Sequence, residues 1–251
     1  MSELTGKRVL VTGSARGIGR AIAALAIERG ARVVISDADA DAAEQTRREL
    51  DAAGTASCDV SDEAAVGAAI AETVGLLGGL DVLVNNAGIE VSSPLVTQST
   101  ESFDRIFAVN VRGPFVATKA AVPHLVESGG NIVNIASVAG LGGSPLLGSY
   151  CATKAALIQL TRVAAIELRA SGVRVNAVCP GFVDTEMVDR LRPDFEDATQ
   201  VPFADLVGAK QGRLGTPADV AEVTCFLASD RAEWITGSHY VLDGGLTASL
   251  V

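Results

Sequence analysis

Tyr150 and Lys154 stand four residues apart in the run Ser149-Tyr150-Cys151-Ala152-Thr153-Lys154. On a helix, positions i and i+4 share a face, so this spacing sets an ammonium beside a phenol. A free tyrosine titrates near pH 10, and its phenolate must be stabilised by about 4 kcal/mol before it can serve as a base near neutrality. A neighbouring cation supplies much of that. The chain contains its own contrast: Ala117-Thr118-Lys119-Ala120-Ala121 repeats Ala152-Thr153-Lys154-Ala155-Ala156, but Phe115 stands where the first copy would need its tyrosine. Only His124 and His239 are present, and a lone histidine is more often structural than catalytic. Proton transfer therefore falls to another residue type.

A second group of residues could hold a nucleotide. Thr12-Gly13-Ser14-Ala15-Arg16-Gly17-Ile18-Gly19 follows a Val/Leu-rich run and precedes a helix-prone one. Glycines there let the backbone approach a pyrophosphate, and the helix offers free N–H groups and the positive end of its dipole. The spacing Gly-x3-Gly-x-Gly departs from the Gly-x-Gly-x2-Gly dinucleotide pattern, and alone it is an ordinary turn. Asp37, ending the next strand 18 residues past Gly19, turns the reading toward a dinucleotide. Ser137 ends a further strand, where it can bond a substrate oxygen or merely cap a turn. Asn110 lies in a helical pattern, where Asn is ordinarily a surface residue.

These residues need a scaffold. Val/Ile/Leu-rich runs at 7–12, 32–37, 81–85, 131–137 and 173–179 predict strands, with weaker candidates at 55–59 and 239–243. Helices are predicted over 17–29, 41–52, 62–77, 100–126, 149–170 and 217–228. The alternation predicts a doubly wound parallel α/β sheet in a single domain, 1–251. Residues 182–214 break the rhythm with Pro193, Pro202 and seven acidic residues, and they read as a partly helical lid.

The net charge of −10 opposes attraction to nucleic acid or anionic lipid. No apolar run of membrane-spanning length and no signal-peptide region are found, so a cytoplasmic protein is expected. Cys58, Cys151, Cys179 and Cys225 are scattered without Cys-x-x-Cys spacing, which predicts free thiols and no metal.

Taken together, the motifs resemble those of the short-chain dehydrogenase/reductase family. The Gly-rich turn, Asp59 after the third strand, Asn85-Asn86-Ala87-Gly88 after the fourth, Asn110, Ser137, Tyr150 with Lys154, Pro180-Gly181 with Thr185, and Leu242-Asp243-Gly244-Gly245 run in the family's order over nearly the whole chain. The resemblance implies a Rossmann-type oxidoreductase moving a hydride between a nicotinamide cofactor and a secondary alcohol or ketone. It implies catalytic roles for Asn110, Ser137, Tyr150 and Lys154, with Lys154 also holding the nicotinamide ribose and Asn110 holding a water that links Lys154 to solvent. Cofactor contacts are implied at Gly13, Arg16, Gly17, Ile18 and Gly19, at Asp37, and at Asp59 with Val60. Further contacts fall on Asn86, Ala87 and Gly88, on Tyr150 and Lys154, and on Pro180, Gly181, Val183 and Thr185.

Asp37 and Arg16 pull cofactor choice in opposite directions. A carboxylate within about 4 Å of a phosphate suffers about 4 kcal/mol of repulsion at an effective dielectric of 20, whereas an exposed arginine can turn away, so NAD is expected over NADP. Polyols, cyclic alcohols, hydroxysteroids and hydroxy acids all remain open as substrates. The alternatives are a 3-oxoacyl-carrier-protein-type ketoreductase, which the acidic Glu127-Ser128-Gly129-Gly130 disfavours, a sugar-nucleotide epimerase, for which the chain leaves no substrate domain, and a non-catalytic cofactor sensor. The helix over 149–170 is apolar around most of its circumference, which predicts a homotetramer, as the family resemblance also does.

Overall fold

The computed structural model describes residues 3–248. Seven strands form one parallel sheet in the order β3-β2-β1-β4-β5-β6-β7. They are β1 (Arg8–Thr12), β2 (Arg32–Ser36), β3 (Gly54–Thr55), β4 (Val82–Asn85), β5 (Asn131–Ile135), β6 (Arg174–Pro180) and β7 (His239–Leu242). Their runs of β-branched residues are continuous rather than alternating because helices cover both faces. The pleat divides them: Val9, Val11, Val33 and Ile35 face one core with Ile22 of α1 (Gly17–Glu28) and Leu227 of α9 (Pro217–Ala228). Leu10, Val34, Leu83 and Ile132 face the other. There they meet Ile70 of α3 (Glu63–Leu77) and Leu125 of α5 (Gly113–Ser128). At the amino-terminal edge, Arg8 on β1 makes a two-pronged pair with Asp81 just before β4, both bonds 2.8 Å long, which pins these central strands in register. Strand order reverses between β1 and β4, so a crevice opens above their carboxyl ends.

Three expectations change. The strand over 55–59 shrinks to Gly54–Thr55, although Ala56 and Cys58 still donate to the carbonyls of Ile35 and Asp37. The helix expected over 100–126 is three segments: α4 (Thr100–Phe107), a π-helical turn (Ala108–Arg112) and α5. Pro114 has no N–H to give the Asn110 carbonyl in α-helical register, and the Asn110 side chain is held elsewhere, so the ladder widens there. The helix over 149–170 is α6 (Gly148–Leu168) followed by a 3-10 turn, Arg169–Ser171. The remaining helices are α2 (Ala40–Leu50) and, within residues 182–214, α7 (Glu186–Thr199) and α8 (Phe203–Gln211). Among the described residues, no helix is long and apolar enough to cross a membrane, and no group of His, Cys, Asp and Glu could hold a metal.

Candidate active site

A cleft of about 680 Å³ lies above the carboxyl ends of β1, β4, β5 and β6, and every cofactor-contact residue inferred from the sequence lines it. Its floor is the turn after β1. Gly13 and Gly17 adopt φ of 62° and 56°, and a β-carbon at Gly13 would fall 2.7 Å from the Ala87 α-carbon. A side chain at Gly19 would strike the Gly13 carbonyl and the Asn86 amide. Asn86 does not point its amide at a ligand; the Nδ2 group donates to the carbonyls of Thr12 and Gly13 at 2.9 and 2.8 Å, tying the turn to the end of β4. Helix α1 begins at Gly17 with no side-chain cap and no acidic residue in its first turn, leaving its N–H groups for an anion in the cleft.

Next to this turn stands a set of polar groups. Asp37 accepts from the Ala15 and Asp39 N–H groups at 3.1 and 3.2 Å, fixing its carboxylate at the rim. The Arg16 guanidinium meets Asp39 at 2.9 Å and Glu186 at 3.7 Å. Asp59 accepts from the Ser61 N–H and hydroxyl and from Arg105. Burial opposes its charge, but these donors outweigh burial and hold its carboxyl below the usual range.

At the other end, Ser137, Tyr150 and Lys154 line the same cleft. Ser137 both caps and faces the ligand space: its oxygen accepts from the Ala139 N–H at 3.1 Å while its hydroxyl reaches the Pro180 carbonyl at a long 3.4 Å. The turn-capping role and the ligand-facing position are thus compatible in one residue. The first turns of α6 carry Tyr150 and Lys154. Burial pushes the Tyr150 phenol up to about 12; the Ser137 hydroxyl acts the other way, and Glu90 adds to the rise. Burial likewise pushes the Lys154 ammonium down to about 8. Lys154 Nζ donates to the Ile135 carbonyl at 2.9 Å and stands 5.6 Å from the Tyr150 ring centroid.

Asn110 is fully buried behind this pair rather than in the cleft wall. Its carboxamide accepts from the Ile89 N–H at 2.9 Å and donates to the Ile89 carbonyl at 2.8 Å and to Thr153 at 3.2 Å. A β-carbon on residue 88 would lie 3.4 Å from Asn110 Oδ1 and 3.5 Å from Lys154 Nζ. Because residue 88 is glycine, a small space stays open between these groups.

The part of the cleft beyond Tyr150 is mostly apolar. Phe182 and Phe195 meet edge-on at 5.6 Å between centroids, and Leu147, Val188, Leu191 and Val207 complete the wall. Three residues absent from the sequence-based site belong here. Gln211 clasps the Phe182 N–H and carbonyl at 2.9 and 2.7 Å, holding the root of residues 182–214. Arg190 of α7 lines the cleft and bonds Glu90 at 3.0 Å. No local pattern marks either Gln211 or Glu90, since their partners lie 29 and 100 residues away.

The chain is a member of the short-chain dehydrogenase/reductase family. The family model described as Enoyl-(Acyl carrier protein) reductase matches residues 13–247. Sorbitol dehydrogenase of Cereibacter sphaeroides is 42% identical over 254 residues, covering 97% of this chain and 98% of that protein. 2-(S)-hydroxypropyl-CoM dehydrogenase 3 of Xanthobacter autotrophicus is 40% identical, covering 98% and 99%. The crystal structure of a short-chain type dehydrogenase/reductase from Mycobacterium marinum superposes with a TM-score of 0.90 at 34% identity over 98% of each chain. The protein is accordingly a nicotinamide-dependent oxidoreductase acting on CH–OH or carbonyl groups.

Proposed function

We propose that the protein interconverts a secondary alcohol and its ketone in a small molecule, with NAD preferred over NADP. The observation that carries this reading is the convergence of the Ser137 hydroxyl, the Tyr150 phenol and the Lys154 ammonium on one cleft whose far end is a glycine-walled anion seat. A nicotinamide cofactor, when bound, supplies the hydride acceptor or donor. Gly13, Gly17, Ile18 and Gly19 would hold its pyrophosphate, Asp37 its adenosine ribose, Asp59 and Val60 its base, and Lys154 its second ribose. Asn86, Ala87, Gly88, Pro180, Gly181, Val183 and Thr185 would complete the walls.

In oxidation, Ser137 donates a hydrogen bond to the substrate oxygen, a role its weak bond to Pro180 leaves within reach. Tyr150 as phenolate takes the hydroxyl proton, and Lys154 stabilises that phenolate. The proton then leaves past Lys154 through a water in the space beside Gly88. Asn110, whose carboxamide borders that space while bonding Ile89 and Thr153, would hold the water in place. Residues 182–214 act as the lid over the substrate. Tyr150→Phe tests the scheme: it should keep fold and cofactor binding while turnover drops at least about 10²-fold. Near-normal turnover would remove Tyr150 from the chemistry, and absence of NAD(P)H formation with every alcohol offered to the wild type would favour a cofactor-sensing protein.

NAD preference is supported by the pairing of Arg16 with Asp39 and Glu186, which reduces its pull on a 2′-phosphate, while Asp37 keeps its carboxylate at the rim. An acyl-carrier-linked substrate is the second reading, favoured by the description of the family model. The arginines lining the cleft weigh against it: Arg16, Arg105 and Arg190 each already face a carboxylate, at 2.9, 3.1 and 3.0 Å, leaving little charge for an acidic carrier.

A homotetramer is supported by large apolar side chains left exposed. Phe103, Phe115, Val163 and Ile166 lie on α4, α5 and α6, while Trp234 and Val241 lie at the β7 edge of the sheet. Two distinct two-fold interfaces, one on the helices and one at β7, would generate a closed tetramer, where one would give only a dimer. The free cysteines, of which Cys58, Cys179 and Cys225 are buried with their thiols pushed up to about 11, 11 and 12, suit a reducing cytoplasm.

A further inference from the structure

Arg190 lines the same cleft as Tyr150 and the apolar wall of Phe182, Val188 and Leu191, and it pairs there with Glu90. Arg190 is on α7 and donates to Glu90 through Nε alone. Its terminal nitrogens, with four N–H donors, make no hydrogen bond among the described residues. Glu90 stands behind it with its side chain only 9% exposed. Its backbone is fixed by the adjoining Ile89, which Asn110 grips from both sides, and by Ser93, whose N–H donates to Leu146. The carboxylate is thus part of the rigid body and the guanidinium part of residues 182–214. Glu186, one turn before Arg190 on α7, adds a second negative charge near the guanidinium.

An arginine in this state is a hydrogen-bond donor whose charge is already answered. A neutral oxygen can accept its free N–H groups, and a hydroxyl has the lone pairs to do so. A carboxylate, sulfonate or phosphate would gain the same bonds but would stand beside the fixed negative charge of Glu90, which is nearly buried although the Arg190 side chain is 61% exposed, and juxtaposed like charges are unfavourable. Lys210 also reaches the cleft from the end of α8; it is exposed, as Arg190 is, and solvent weakens the field of both, whereas Glu90 behind Arg190 is nearly buried. We propose that Arg190 is a substrate-contacting specificity residue and Glu90 its positioning partner, and that together they select alcohols bearing a second, neutral oxygen group over anionic hydroxy compounds. This rests on the alcohol/ketone oxidoreductase reading above.

The test uses two matched pairs of probes, butane-1,3-diol against 3-hydroxybutyrate and sorbitol against gluconate, each pair differing by a neutral CH2OH in place of a carboxylate. The full-length wild type should favour the neutral member by about tenfold or more in kcat/KM. Glu90→Gln, which unmasks the guanidinium, should move that ratio toward the anion by about tenfold. Arg190→Gln, which leaves Glu90 unanswered, should move it further toward the neutral member while raising KM. A merely structural role would weaken both members of a pair alike, so opposite shifts from the two variants are the signature, and either variant suffices if the other does not fold. A wild-type preference for the anion, or ratios that neither variant moves, overturns this inference alone. No NAD(P)H formation with any probe or other secondary alcohol overturns the oxidoreductase reading, and this inference with it.

Discussion

Lys154 Nζ bonds the carbonyl of Ile135 at 2.9 Å and only borders Tyr150, 5.6 Å from its ring centroid. The i, i+4 spacing brings the two side chains together, as a helix must, yet the phenol is pushed up to about 12 by burial rather than down. Forming phenolate at neutral pH from there requires about 7 kcal/mol. One unit charge at 5.6 Å returns about 3 kcal/mol at an effective dielectric of 20. The ammonium falls short on this count, so the proposed role of Tyr150 as base calls for a second positive charge beside it, which the oxidised nicotinamide ring would provide when bound.

The ionisation of Tyr150 should consequently depend on cofactor. The ultraviolet phenolate signal of the free protein, taken as the difference between wild type and Tyr150→Phe, should stay absent until well above pH 10, because a raised pKa keeps the proton on through that range. Addition of oxidised cofactor should move the midpoint down by at least about 1 pH unit. A midpoint already near neutrality without cofactor would mean that Lys154 does the whole work. Lys154 is held down to about 8, so its support for the phenolate is complete below that pH and fades above it.

Asp37→Ser addresses cofactor choice. Wild type should show the higher kcat/KM with NAD, and the variant should shift toward NADP by about tenfold or more as the repulsion of the 2′-phosphate is lifted. Preference for NADP in the wild type would mean that Arg16 prevails over Asp39 and Glu186.

The proposed assembly can be probed on α6 and on β7. Ile166→Glu on α6 and Val241→Glu on β7 each place a charge in an exposed apolar area. Light scattering should read a tetramer for the wild type and a dimer for each variant, since each removes one of two interfaces. A wild-type monomer at micromolar concentration would contradict the proposal.

The sequence by itself determined the alternation of strands and helices, the placing of glycines where backbones must touch, and the four-residue separation of Tyr150 and Lys154. These are local: period, turn chemistry and helical spacing act within a few residues, so they can be read along the chain. The helix expected over 100–126 failed for a reason that is only half local. Pro114 is visible in the sequence, but the hold of Ile89 on Asn110, which widens the helix into a π turn, crosses 21 residues. Only the tertiary structure decided that the Asn86 amide serves the Gly-rich turn, that Gln211 clasps Phe182, and that Glu90 answers Arg190. Burial and opposing charge depend on which distant segments arrive at one place, and that is settled by the packing of α6, α7 and the loops above the sheet.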